Sequence, residues 1–173
     1  MEPGAFLTEM IDPGLKLLAG LSNNRPSVSD DAKRMLLAIA LQESGPNLDA
    51  RYQNSPSSSP GPARGFWQFE QGGGVTGVIN NSNSKTLASE VCKALTFVVQ
   101  PAAVWRGLEG SSILACCFAR LLLWTDPYVL PNNEQDGWDC YIRLWRPGKP
   151  HPEVWPDNWG QATTAVNMAS TVV

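Results

Sequence analysis

One carboxylate in this chain is well placed for acid–base chemistry, because it ends an apolar helical run. The run covers residues 36–44, and the carboxylate is Glu43. One face of the predicted helix collects residues at spacings of three and four: Ala32, Met35, Leu36, Ile39, Ala40 and Glu43. The acid therefore shares a stripe with core residues. Burial and the negative end of the helix dipole both oppose its ionisation, so we expect a raised pKa and a general acid.

A second segment follows after a loop, and the two segments together resemble the lysozyme-like superfamily, in particular goose-type lysozymes and soluble lytic transglycosylases. In that family a Glu-Ser pair ends a buried helix, and a Gly-Leu-Met-Gln type segment lines the opposite wall of the cleft. Glu43-Ser44 matches the first element and Gly65-Phe66-Trp67-Gln68 matches the second. Ala50 matches a small residue that the family places after the acid. The resemblance covers roughly residues 30–70.

This resemblance implies a glycosidase that cleaves the β-1,4 bond between N-acetylmuramic acid and N-acetylglucosamine in peptidoglycan. Glu43 would be the proton donor, and Ser44 would lie beside it in the substrate site. Gln68 would exchange a hydrogen bond with a sugar hydroxyl or N-acetyl group. Trp67 would stack on a pyranose face, although a tryptophan that packs in the core fits the sequence equally well.

The identity of the second catalytic group stays open. Glu70 stands where some goose-type enzymes place an aspartate that positions water, and Asp49 is an alternative base. Inverting enzymes hold their two carboxyl groups roughly 6.5 to 9.5 Å apart. Either residue also suits a solvated loop.

Lytic transglycosylases need no second carboxylate, because the 6-hydroxyl of the substrate attacks and an anhydro sugar forms. Those relatives carry an Ala-Tyr-Asn-Ala-Gly type segment on a later helix, with the tyrosine near the glutamate. This chain has Leu-Trp-Thr-Asp-Pro-Tyr at residues 123–128 in the comparable region. The departure favours hydrolysis, with Trp124 or Tyr128 as further residues of the site.

The elements that must position these residues are mostly helices. The first predicted helix covers residues 5–21, with a kink or break at Pro13-Gly14. The second is capped by Ser27 or Ser29 and ends at about Glu43. Three more are predicted at 84–99, 111–124 and 134–145. Residues 53–62 are predicted to be a flexible loop and a possible moving rim of the site, and residues 65–78 a small extended or β element. Residues 162–173 fit a strand, a docked tail or a disordered segment.

The expected architecture is mainly α, of the α+β lysozyme-like class, with the β element and the Glu43 helix as the two walls of a cleft. A length of 173 residues and a hydrophobic fraction of 43% suit one domain, 1–173, with a Trp/Pro/Arg-rich C-terminal extension from about residue 146. The net charge of -3 gives no basic surface of the kind that nucleic-acid binders carry.

Cysteine and histidine usage argues against cofactor chemistry. The four cysteines lack metal-ligand spacing and are expected to be free, buried thiols made in a reducing compartment. His151 is the single histidine, so we expect no metal and no cofactor. A Cys/His peptidase would depend on His151 and Cys140, in an unpromising order. The longest apolar stretch, 113–124, is too short to span a membrane.

The start of the chain lacks the features of a signal peptide, so we expect synthesis in the cytoplasm of a bacterial host and action at the periplasm or cell wall. Such a chain looks like a bacteriophage enzyme, either a free endolysin or a virion component. The alternative is a non-enzymatic structural or ejection protein of the virion that keeps the fold. It would bind other virion proteins through its C-terminal tryptophans and basic residues: Trp138, Arg143, Trp145, Arg146, Lys149, Trp155 and Trp159.

Overall fold

The computed structural model describes residues 1–49 and 61–171, and it is mainly helical with one small antiparallel sheet. The prediction of a mainly α, α+β fold is therefore confirmed. The predictions made for Ala50 and for most of the loop at 53–62 fall on residues 50–60, which lie outside the described residues, as do residues 172 and 173.

The N-terminal helical region is continuous. It consists of α1 (Pro3–Phe6), a π-helical turn (Leu7–Ile11) and α2 (Asp12–Leu21). Of the predicted kink or break at Pro13-Gly14, the break is not found, because Pro13 lies in the first turn of α2, directly after the π turn. A proline is tolerated in a first helical turn because the backbone N–H that it lacks would have no hydrogen-bond partner within the helix at that position.

Helix α3 (Asp30–Ser44) carries the candidate acid in its last turn. The Ser29 side chain caps its start and accepts a hydrogen bond from the backbone N–H of Ala32 at 3.3 Å. Gly45 follows its end with φ of +80°, a conformation that favours glycine. The predicted cap and the predicted C-terminal end of this helix, to within one residue, are thus confirmed.

The sheet is smaller than the sequence suggested. Strands β1 (Ala63–Arg64) and β2 (Phe69–Glu70) pair antiparallel, with Ala63 opposite Glu70. A π turn (Gln71–Val75) and α4 (Thr76–Asn80) follow at once, so the extension of the β element to Val78 is wrong. Gly74 packs so closely on the Phe69 ring that a Cβ atom there would lie 2.5 Å from a ring carbon.

The middle of the chain forms α5 (Lys85–Ala94), α6 (Pro101–Gly110) and α7 (Ser112–Trp124). The predicted helix 84–99 is too long, because the chain turns at Thr96 with φ of +61°, and α6 was not predicted. Helix α7 is buried over nearly its whole length, as the apolar run predicted, and α2 packs against it. All four cysteines are free and buried, which confirms that prediction.

The C-terminal part forms α8 (Glu134–Trp145), a 3₁₀ turn (Pro152–Val154) and α9 (Trp155–Thr171). Helix α9 packs along α3, so residues 162–171 are docked, and they are helical. The buried residues of α9 have the spacing of a helix face: Trp155, Asn158, Trp159, Ala162, Ala165 and Val166. Within residues 1–49 and 61–171, every helix falls short of the length and apolarity needed to cross a membrane.

Two glycines of α2 test this packing. A Cβ atom on Gly14 would lie 2.7 Å from the Cys116 sulfur, whereas Gly20 has open space around it. Gly14→Ala should therefore destabilise the protein by about 1 to 3 kcal/mol through overpacking. Gly20→Ala should stabilise it by up to about 1 kcal/mol, since alanine favours the helix. Urea unfolding of both variants measures the contrast, and equal effects of the same sign would contradict the α2–α7 contact.

Candidate functional site

The Glu43 side chain is partly buried in the last turn of α3, where the hydroxyl of Tyr141 donates a hydrogen bond to its Oε1 atom at 2.7 Å. Burial raises the pKa of Glu43 to about 7, and the hydrogen bond from Tyr141 acts in the opposite, lowering direction. The carboxyl group therefore exists in its protonated and ionised forms in comparable amounts near neutral pH. That is the property required of a general acid.

Tyr141 lies on α8 and is 2% exposed. Burial, with the neighbouring Glu43 carboxylate as a smaller cause, raises the pKa of Tyr141 well above its ordinary value. The phenol therefore keeps its proton and remains a donor to Glu43. The Trp155 ring stacks on the Tyr141 ring at 5.4 Å with an interplanar angle of 12°. Trp138 and Trp145, from the same helix, flank it at 5.5 and 6.4 Å.

The turn between β1 and β2 is fastened to both helices that carry this pair. The Trp145 indole N–H donates to the backbone oxygen of Trp67 at 2.9 Å, and the Trp67 indole N–H donates to that of Leu36 at 2.8 Å. The β1–β2 turn and helix α3 are thus joined directly. Trp67 is 0% exposed, so its predicted role in stacking on a sugar is corrected: the ring is core and fixes the turn.

The other two predicted residues of these segments are bonded to backbone. Gln68 has φ of +48° and is partly buried, and its amide donates to the backbone oxygen of Gly65 at 2.9 Å. Ser44 is 6% exposed, and its hydroxyl donates to the Ala40 oxygen at 2.6 Å. Ser44 therefore bonds to the backbone of the helix that carries the candidate acid, and Gln68 to that of the β1–β2 turn.

Gln42, which precedes the candidate acid, holds three segments together. Its amide oxygen accepts a hydrogen bond from Asn158 of α9 at 2.9 Å. Its amide nitrogen donates to the backbone oxygens of Pro150 and His151 at 2.7 and 3.1 Å. The last turn of α3 is therefore clamped to α9 and to the segment that joins α8 to α9. No sequence pattern predicts this role, because a glutamine near a helix end carries no signal of its own.

The remaining predicted residues lie away from this pair or face water. Glu70 is exposed on β2, and Asp49 is exposed after α3. Tyr128 is 68% exposed, with the Arg143 guanidinium 4.8 Å from the centre of its ring. Tyr128 and the partly buried Trp124 line a separate cavity. The tyrosine that contacts Glu43 is Tyr141, whereas the sequence had suggested Tyr128.

Two cavities stand out in the described part of the molecule. One, of about 920 Å³, lies between α1 and α9, and the other, of about 420 Å³, lies beside the start of α3 and the end of α7. Glu43 lines neither of them.

Neither a family model, nor a curated protein, nor a solved structure matches this chain. Function is therefore inferred from the residues themselves.

The raised pKa of Glu43 has a consequence for stability. A carboxyl whose pKa rises on folding stabilises the native state fully below its unfolded value, 4.5, and this stabilisation is lost as the pH rises through the folded value of about 7. Glu43→Gln removes the effect while keeping an oxygen for Tyr141. The variant should therefore gain stability relative to wild type between pH 4.5 and 8, by on the order of 3 kcal/mol.

Thermal or urea unfolding of both proteins across that pH range measures this gain. A difference in stability that is the same at pH 4.5 and pH 8 would contradict the raised pKa.

Proposed function

We propose that this protein cleaves the β-1,4 bond between N-acetylmuramic acid and N-acetylglucosamine in peptidoglycan, with Glu43 as the proton donor. The observation that carries the proposal is the partly buried Glu43 carboxyl, whose pKa is about 7 and whose Oε1 atom is bonded to the Tyr141 hydroxyl. The resemblance of residues 30–70 to goose-type lysozymes and lytic transglycosylases supplies the substrate class. Glu43 is partly exposed, so a glycan strand at the end of α3 would reach it.

The proton transfer follows from this geometry. Protonated Glu43 gives its proton to the oxygen that bridges two sugars, and the bond from that oxygen to the muramic acid C1 breaks. The ionised Glu43 that results keeps the hydrogen bond from Tyr141. A bond from a neutral donor to a developing negative charge strengthens as the charge forms.

The surroundings of Glu43 support lytic transglycosylation over hydrolysis, which reverses the preference drawn from sequence. Relatives that perform transglycosylation place a tyrosine beside the glutamate, and Tyr141 lies there. Burial and the hydrogen bond from Tyr141 are the causes of the shift in the pKa of Glu43. In this reaction the 6-hydroxyl oxygen of muramic acid bonds to C1 and its proton returns to Glu43, so no water is consumed.

We further propose a bacteriophage origin and action at the wall of the bacterial host. The second candidate function is a non-enzymatic structural or ejection component of the virion. The exposure of Arg143, Arg146 and Lys149, through which this alternative would bind other virion proteins, supports it.

Mass spectrometry of digested sacculi tests the proposal. Wild type should release muropeptides with anhydro ends, and Glu43→Gln should lower the rate by roughly 10² to 10⁴. Glu70→Gln, which changes an exposed carboxylate, is the matched control and should release the same products at the wild-type rate. Reducing ends that disappear in Glu70→Gln would establish hydrolysis instead. Sacculi left intact by wild type would favour the non-enzymatic alternative.

Replacement of the tyrosine tests its part in the proton transfer. Tyr141→Phe removes a hydrogen bond that lowers the pKa of Glu43, so the alkaline limb of the pH–rate profile should move to higher pH. The maximal rate should fall roughly tenfold, the worth of one hydrogen bond to a charged group. A tyrosine that only packs would lower stability and leave the position of the alkaline limb unchanged.

A further inference from the structure

A buried cation that makes no ion pair within the described residues lines the cavity of about 420 Å³. Arg120 of α7 is 2% exposed and lines this cavity. Its Nε atom donates to the backbone oxygen of Ser27 at 3.0 Å, and its Nη2 atom lies 3.4 Å from the Ser27 hydroxyl. Its Nη1 atom is buried and has no hydrogen-bond partner. An unpaired buried charge of this kind is costly.

Burial lowers the pKa of Arg120 to about 10, so the guanidinium remains charged at neutral pH. Two thiols, Cys116 and Cys140, act in the opposite direction and raise the pKa of Arg120. Burial raises the pKa of each thiol, so both stay neutral. Neutral thiols do not compensate a positive charge. In the described part of the chain, Arg120 thus has only neutral partners.

The acids that line the same cavity are already paired with arginines that do not line it. Asp126 is bound by Arg143 at 2.5 Å, and Asp31 by Arg34 at 2.6 Å. The second arginine of the lining, Arg25, is exposed and donates to the backbone oxygen of Ser22 at 2.7 Å. The two arginines that line the cavity are therefore bonded only to neutral oxygens. The two carboxylates that line it form ion pairs with arginines outside the lining.

The rest of the lining combines apolar and aromatic side chains with Ser27 and Ser29. Trp124 and Tyr128 contribute rings, and Leu123, Val129 and Leu130 contribute aliphatic groups. A site of this kind suits a ligand with an apolar body and a charged group, since pockets combine apolar walls with a few placed polar groups.

We propose that this cavity binds a small organic anion, a carboxylate or phosphate group on an apolar body, with Arg120 and Arg25 as its charge partners and Trp124 and Tyr128 against its body. The site is separate from the candidate catalytic pair, because Asp31 and Glu43 lie about 18 Å apart along α3. The proposal therefore stands independently of the glycosidase activity.

Three aromatic probes of matched shape test the ligand chemistry by calorimetry and thermal shift at constant ionic strength. Benzoate or phenyl phosphate should bind saturably and raise the melting temperature, and the stronger of the two identifies the anion as carboxylate or phosphate. Benzamide, the neutral analogue of benzoate, should bind at least tenfold more weakly. Equal binding of benzamide, or no binding of either anion, would overturn the proposal.

Variants assign the binding to the cavity. Arg120→Met should weaken binding of the anionic probe by roughly tenfold or more, and without ligand it should melt above wild type because an uncompensated charge is gone. Arg106→Met, which removes an exposed arginine of α6, should change neither property. If Arg120→Met melts below wild type and binds the probe with wild-type affinity, the arginine is purely structural and the proposal is overturned.

A third variant keeps the test decisive if Arg120→Met fails to fold. Arg25 is exposed, so Arg25→Gln should fold normally and bind the anionic probe several-fold more weakly. Wild-type affinity in Arg25→Gln would contradict the assignment.

Discussion

The hydrogen bond from Tyr141 to Glu43 is the interaction on which the organisation of this protein's candidate site depends. It joins two residues 98 positions apart and bonds a carboxyl to a tyrosine on whose ring Trp155 stacks. A carboxylate buried there without a donor would be strongly disfavoured. With one neutral donor the carboxyl is tolerated, yet burial still raises its pKa to about 7. Stability and chemistry therefore make opposite demands on the same group, which is typical of functional sites.

The surrounding structure restrains both partners of that bond. Trp67 ties the β-turn to α3, and Trp145 ties it to α8. Gln42 fastens the end of α3 to α9 and to the segment before α9. The C-terminal aromatic residues thus hold the site together: Trp155 and Trp159 are buried and Trp138 and Trp145 partly so. Such supporting contacts are what keep a reactive side chain in a fixed geometry.

The sequence predicted the structure correctly where a local signal was strong. It did not predict features that depend on contacts between residues far apart in the chain. Helices α3, α7 and α8 follow from caps and apolar periodicity, and Glu43 follows from its place on a core stripe. Helix α9 was missed although Trp155, Trp159, Ala162 and Val166 have helical spacing, because its small and polar residues obscured the pattern. Tyr141 was overlooked for Tyr128, since no local pattern shows which tyrosine meets a residue 98 positions away. Periodicity alone also could not show that Trp67 is core.

The most direct test of this account is a measurement of the Glu43 pKa by NMR, from the pH titration of its side-chain carboxyl carbon in the wild-type protein. A midpoint near 7 is the predicted result, and removal of the Tyr141 hydroxyl should shift that midpoint further upward. A midpoint near the ordinary glutamate value of 4.5 would mean that the carboxyl is ionised at neutral pH and is not the proton donor.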